Sequence, residues 1–404
     1  MSSPATATTV GRLADKDERF AKFGTFVLSA ALMLAIVTGT TFVDQLTTSR
    51  LLIVLVGQLL LHILICPRLL VNREVVIAFA FFGYLLLSSF WTPDPILGMN
   101  TLFPSIDFAL IVLLSASLMA FHDPRVVLAG ILAGFMTGAA IYTATFSFPF
   151  VYPQDFSYNA IASMYLFGAE AALFFGLLVS RYRLLALVLA LVCLLHVGAT
   201  TSIKTNLGVV IGAAAATLLY PRNTGRLLWR SLPQIVIAVG VTAYVILSNP
   251  NILERVTAGL DRIQIGLSVL QTREDVGGYS GFGEREQWMQ AGLEGWKHNP
   301  LFGNGVEAFR SDNEGWTSHS TPVDLLYNTG LIGTTLFYGL FLSVGLRLFH
   351  PRCPSPTGVR ALVMACLVAQ VFMTLSGTLF YQTFVALLLG IASVVVRPVP
   401  ARPS

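Results

Sequence analysis

Twelve apolar runs, most of them 16 residues or longer, recur along the 404-residue chain, and nothing else in it constrains the fold as strongly. They cover about 23–43, 51–66, 75–91, 106–121, 126–147, 159–180, 184–200, 205–220, 234–248, 322–349, 360–378 and 380–396. A helix needs about 20 apolar residues to cross a hydrocarbon core of ~30 Å, and backbone in lipid must satisfy its own hydrogen bonds. The runs therefore predict an all-α integral membrane protein of about 12 transmembrane helices. The runs 51–66 and 234–248 are short enough that one of them is a candidate re-entrant segment. Only 11% of the residues are charged, against about 25% in soluble domains, which excludes a soluble globular enzyme. Residues 1–22 are polar and charged and show no cleavable signal pattern.

Lysine and arginine orient the chain. With the N-terminus cytoplasmic, 17 of the 25 basic residues fall in inner segments, and six of the rest share one long outer loop. The short outer loops 92–105 and 148–158 hold no Lys or Arg. Because the positive-inside rule weighs short loops and discounts long ones, both termini are expected to be cytoplasmic. Five parts follow: a tail at 1–22, a nine-helix membrane region at 23–248, an outer loop at 249–321, a three-helix region at 322–396 and a tail at 397–404. The net charge of +4 is this inside bias, not a nucleic-acid footprint. None of the four cysteines falls in an outer loop, so no disulfide is expected. Without a CxxC or a Cys/His cluster, no metal is expected either. No cofactor is called for, and the absence of a Walker A pattern argues against an ATP-driven pump.

The loop 249–321 holds ten of the 21 acidic residues against six basic ones. A loop this long usually has a function. Two helices are predicted in it. Leu253, Val256, Leu260, Ile263, Leu267 and Leu270 repeat at helical spacing over 252–271, with Arg255 and Arg262 on one face. The second, about 284–297, aligns Arg285, Trp288, Gly292 and Trp296. A glycine-rich stretch, 277–283, lies between them, and Lys297-His-Asn-Pro-Leu-Phe-Gly-Asn-Gly305 reads as a turn-rich exit.

Charged groups at the edges of membrane spans are functional candidates by default. Lys204, in Thr200-Thr-Ser-Ile-Lys-Thr-Asn206, lies at an outer junction between two spans. Its residues leave two readings open, an interfacial lysine that snorkels to the headgroups and the cation of a phosphate site. Arg285 opens the second loop helix on its tryptophan face; Arg310 and Arg255 have weaker claims. His319 stands just before the span that begins near Val323, where a neutral imidazole can take a proton from a sugar hydroxyl. Asp324 either orients it or serves the helix dipole in the first turn. His298, His196 and Glu170 read as structural, and Gln370 and Asn328 as interhelical hydrogen bonders. Two or three outer cations with one base describe glycosyl transfer from a polyprenyl-diphosphate donor: cations hold the leaving group and a base activates the acceptor.

The chain resembles the bacterial O-antigen ligase and O-antigen/exopolysaccharide polymerase superfamily over about 130 residues, Ser202 to Gly333. The matching pattern is Arg285, Trp288, Asn299-Pro-Leu-Phe-Gly-Asn-Gly305, His319 and Asp324-Leu-Leu-Tyr-Asn-Thr-Gly-Leu-Ile-Gly333, with Ser202-Ile-Lys204-Thr205 upstream. The resemblance implies a metal-independent, inverting glycosyltransferase of the large helical membrane class. Its donor would be an undecaprenyl-diphosphate-linked glycan at the periplasmic face of the bacterial inner membrane. Arg285 and Lys204 would contact the diphosphate, and His319 would activate the acceptor. Two positions depart from the pattern: Lys204 stands where ligases typically show Arg, losing the guanidinium fork, and Ser320 follows His319 where Asn is common.

Within that family the leading expectation is a ligase that moves completed O-antigen onto lipid A–core. The alternative is a polymerase that extends a growing glycan with the same cations and base. A lipid-linked glycan transporter would want charges along its spans and an internal repeat, and the chain shows no repeat.

Overall fold

The computed structural model describes residues 4–41, 45–147, 158–200, 202–219, 281–350, 355–375 and 382–396, with scattered positions at 236–261, 353 and 377. Among these there are thirteen α-helices and no strand. They are α1 (Pro4–Thr41), α2 (Gln45–Ile65), α3 (Arg73–Ser88), α4 (Pro95–Phe121), α5 (Pro124–Phe146), α6 (Tyr158–Leu178), α7 (Arg183–Ala199) and α8 (Ile203–Leu219). After 220–280 come α9 (Gly281–Trp296), α10 (Ala308–Asp312), α11 (Thr321–Leu348), α12 (Thr357–Thr374) and α13 (Thr383–Val395).

Seven of these, α1, α4, α5, α6, α7, α11 and α12, carry segments long and apolar enough to cross a membrane, and α2, α8 and α13 carry shorter apolar ones. The chain is a multi-pass membrane protein. Of the about 12 spans expected, the described residues show seven long apolar helices and three shorter ones. The 13 residues of α13 rise only about 20 Å, and this helix sits inside the bundle with Thr383 through Ser393 buried. The expected run 234–248 and the expected helix 252–271, with Arg255, lie outside the described residues apart from isolated positions.

Local chemistry starts the helices where the sequence changes character. Asp94 and Asp123 each precede a proline and accept backbone N–H groups of the first turn, from Ile96 and Leu97 and from Arg125. An acidic N-cap with proline at the first helical position satisfies or removes the orphan donors. Asn72 caps α3 in the same way through Val75 N.

Small residues then set the packing. Gly130, Gly134 and Gly138 line one face of α5, and a Cβ on any of them would overlap Phe26, Ala30 or Val37 of α1. Gly208 and Gly212 of α8 meet Ala369 and Ala365 of α12 in the same manner. In lipid, where the solvent is as apolar as the side chains, such close backbone approach is what holds helices together. One ion pair adds to it. Glu74, fully buried at the start of α3, pairs with Arg347 Nη2 near the end of α11 at 3.1 Å, and Ser343 Oγ donates to the same carboxylate oxygen.

Candidate active site

α11 is two helical pieces. Gly330 takes φ 61, ψ −162 within it, a conformation open to glycine. Such a break strands amides and carbonyls on both sides, and the segment 300–305 supplies their partners. Asn304 N donates to Tyr327 O (2.8 Å) and Gly305 N to Asn328 O (2.9 Å), while Leu331 N donates to Pro300 O (2.9 Å) and Ile332 N to Leu301 O (3.2 Å). The turn-rich exit is thus the backbone partner of a broken membrane helix. Asn328 serves the same joint: its Oδ1 accepts from Phe309 N of α10 at 2.8 Å, the interhelical bond expected of it.

Two further contacts fix this loop. Thr92 Oγ1 donates to Val306 O (2.5 Å) and Tyr84 OH to Phe302 O (2.9 Å), which pins it to α3 and the α3–α4 linker. α9 forms where the tryptophan spacing predicts it and lies on the N-terminal piece of α11 through Gly292 and Gly295, which leave room for Val323 and Tyr327. Trp288 stacks on Trp316 with ring centroids 6.2 Å apart, continuing the docked face.

Lys204 sits in the first turn of α8, half-buried. Its Nζ packs onto Gly377 where a side chain would otherwise stand. Gly377 O in turn accepts from Thr321 N (3.2 Å) and from Thr321 Oγ1, at the start of α11. Lys204 therefore lies beside the anchor of the turn that carries His319. Arg285, exposed in α9, is near enough for its charge to repel that of Lys204. Neither cation forms an ion pair with a carboxylate among the described residues.

His319 itself is half-buried and has φ 57, a left-handed conformation uncommon for any residue but glycine. Its neighbours hold it there. Ser318 N donates to Asp324 Oδ1 (3.0 Å), Ser318 Oγ to Ser320 O (2.9 Å) and Ser320 N to Ser318 Oγ (3.2 Å). Asp324 thus braces the turn and also occupies the first turn of α11. Arg310 is exposed and spends its Nε on Gly315 O (3.0 Å) within its own loop.

Residues 185–338 match the family described as O-antigen ligase. The chain carries an O-antigen ligase family domain. A domain of that family implies a membrane enzyme that transfers glycans and uses lipid-linked glycan substrates. No curated protein sequence matches the chain. The O-antigen ligase domain runs from α7 into α11, so Lys204, Arg285, His319 and Asp324 all fall inside it. Thr92, Thr101 and Gly377 come from outside the domain and contact it at Val306, Glu307 and Lys204.

Thr101 matters because of Glu307, a residue of the domain that composition hides among ten loop acids. Glu307 is buried, adopts φ 60, and accepts from Thr101 Oγ1 on α4 at 2.8 Å. Burial pushes its carboxyl above the ordinary range; the Thr101 bond and Arg310 oppose that, and the charge of Asp324 adds to it. Its one sequence signal is an acid set among Val306, Ala308 and Phe309. Of the residues expected to be structural, His196 stacks on Tyr165 and bonds Val192 O, and Glu170 is buried within α6.

Proposed function

We propose that the protein transfers a glycan from undecaprenyl diphosphate to an acceptor hydroxyl at the outer face of the bacterial inner membrane. The acceptor in this reading is lipid A–core, which makes the enzyme an O-antigen ligase, and both termini are cytoplasmic. The observation that carries it is Lys204, seated on Gly377 beside the anchor of the turn that holds His319 and within Coulombic reach of Arg285, with neither cation ion-paired to a carboxylate among the described residues.

The chemistry follows from that arrangement. Lys204 and Arg285 bind the diphosphate and offset the charge that grows on it as the bond from anomeric carbon to phosphate oxygen breaks. His319, as a neutral imidazole, takes the proton of the acceptor hydroxyl as that oxygen attacks the opposite face of the anomeric carbon. The configuration inverts, and undecaprenyl diphosphate departs. The left-handed backbone at His319 and the buried Glu307 supply support of a second kind, since strain of this sort gathers at functional sites. No step calls for a metal ion in this reading.

Lys204, where ligases typically show Arg, favours a second acceptor: the end of a growing glycan, which makes the enzyme a polymerase. Deleting the gene and examining lipopolysaccharide on a gel separates the two. Loss of the ladder with long polymer left on the carrier is the ligase result. Lipid A–core bearing a single repeat is the polymerase result. An unchanged ladder, with unchanged secreted polysaccharide, would refute both.

A further inference from the structure

At the other end of α9 from Arg285 lies an open cleft of about 670 Å³, between the α3–α4 linker and the loop that follows α9. Gly295 on its wall is about 15 Å along the helix from Arg285 at 1.5 Å per residue, so the cleft is not the diphosphate site. Its lining combines two chemistries. Trp91 and Phe302 present rings that are 42% and 57% exposed. Beside them stand polar groups whose orientation is fixed. Tyr327 OH donates to Asp312 Oδ2 at 2.7 Å, and Asn299 Nδ2 donates to Asn304 Oδ1 at 2.8 Å. The Asn299 carboxamide oxygen takes no partner among the described residues.

No Lys or Arg lines the cleft, and Asp312 does, so an anion is disfavoured. A carboxylate and two carboxamides are equally poor company for acyl chains. A neutral polyhydroxylated ligand suits both halves: the CH faces of sugar rings pack on aromatic faces, and hydroxyls reach the carboxylate and amides. The cleft is also preformed, because its floor is the joint in which 300–305 locks onto the break of α11. Being open, it suits a polymer lying through it better than an enclosed monosaccharide.

We propose that this cleft is a glycan subsite that holds neutral saccharide units of the transferred chain away from the reacting end. Trp91 and Phe302 pack on the sugar rings, and Asp312 and Asn299 take their hydroxyls. The proposal rests on the glycan-transfer reading and adds to it a binding region independent of the diphosphate.

The test is equilibrium binding to the full-length protein in nanodiscs. The probe is the host's own surface polysaccharide, freed of lipid and diphosphate by mild acid. Wild type, Lys204→Ala and Arg285→Ala should bind alike, while Trp91→Ala and Asp312→Asn should weaken binding about tenfold and Trp91→Phe should retain most of it. Equal binding by wild type, Trp91→Ala and Asp312→Asn overturns the proposal, as does loss of binding in Lys204→Ala. Quenching of Trp91 fluorescence by brominated lipid that the polysaccharide does not relieve also overturns it, since the ring would then be a membrane anchor. The two readings fail separately. Full transfer activity in Lys204→Ala would strike the diphosphate site and leave the cleft standing, whereas an inactive Lys204→Ala beside unaltered Trp91→Ala binding strikes the cleft alone.

Discussion

Gly303 and Gly330 meet backbone to backbone: a Cβ on Gly303 would lie 2.5 Å from Gly330 N, and one on Gly330 would lie 2.7 Å from Gly303 N. Both have positive φ, 72° and 61°. Alanine at either position meets strain and overlap with backbone that cannot give way, so each change should cost about 2 kcal/mol or more. Thermal unfolding in detergent should show a lowered Tm together with lost activity. Gly339→Ala on the same helix, with open space around it, should leave both unchanged. Equal Tm values for all three variants would mean that the joint is not rigid.

The cation site predicts a graded series. Removing charge by Lys204→Ala or Arg285→Ala should slow transfer about 10²–10³-fold, while Lys204→Arg, which keeps the charge, should stay within about tenfold of wild type. Gly377→Ala is the more searching variant. Its new methyl would stand where Lys204 Nζ now packs, and because that is the end of a flexible side chain the fold should survive. Activity should fall about tenfold with Tm unchanged, and a Gly377→Ala enzyme of full activity would separate Lys204 from the reaction.

His319→Ala should insert and unfold like wild type yet lose about 10²–10⁴-fold in rate, the contribution of a positioned general base. The readout is polysaccharide transfer from a purified lipid-linked donor, alongside Tm. Retained activity would end the base assignment.

The helices were legible because crossing lipid demands a run length that few other sequences reach. α9 was legible from the spacing of Arg285, Trp288, Gly292 and Trp296. What the chain did not disclose is the joint. Asn299-Pro-Leu-Phe-Gly-Asn-Gly305 reads as an exit from a helix, and nothing in it announces that its amides and carbonyls serve Tyr327, Asn328, Leu331 and Ile332. Backbone pairing at long range leaves no side-chain signature. Lys204 was visible as a candidate, but its seat on Gly377 joins positions in two distant segments. Glu307 was counted only as one loop acid among ten, because burial of a carboxyl depends on α4 arriving beside it. Arg310 shows the converse: a basic residue in the right loop that bonds its own turn.

Glu307 gives a pH dependence whose sign can be worked out. Its folded carboxyl titrates above the ordinary carboxylate range, chiefly through burial. The stability it contributes is therefore fully present below the unfolded carboxyl pKa of about 4.3, and is lost as pH rises through the higher folded value. Glu307→Gln keeps an acceptor for Thr101 Oγ1 and removes the ionisation. The variant should be more stable than wild type in neutral or alkaline buffer, with the difference vanishing below about pH 4. Tm against pH for the two proteins checks this, and a gap that instead widens on acidification would reverse the sign and refute the account.

Glu74 and Arg347 set a last expectation at the opposite end of α11. Glu74 is 0% exposed, so deleting its partner leaves a carboxylate with only Ser343 for company. Arg347→Leu should cost about 3 kcal/mol, the usual penalty for stranding one member of a buried pair. Glu74→Gln alone should cost less, because the remaining Arg347 side chain is 25% exposed and keeps water. Combining the two should recover part of the loss, since no buried charge then remains. A double variant as unstable as the sum of the singles would mean that the two side chains do not act as a pair.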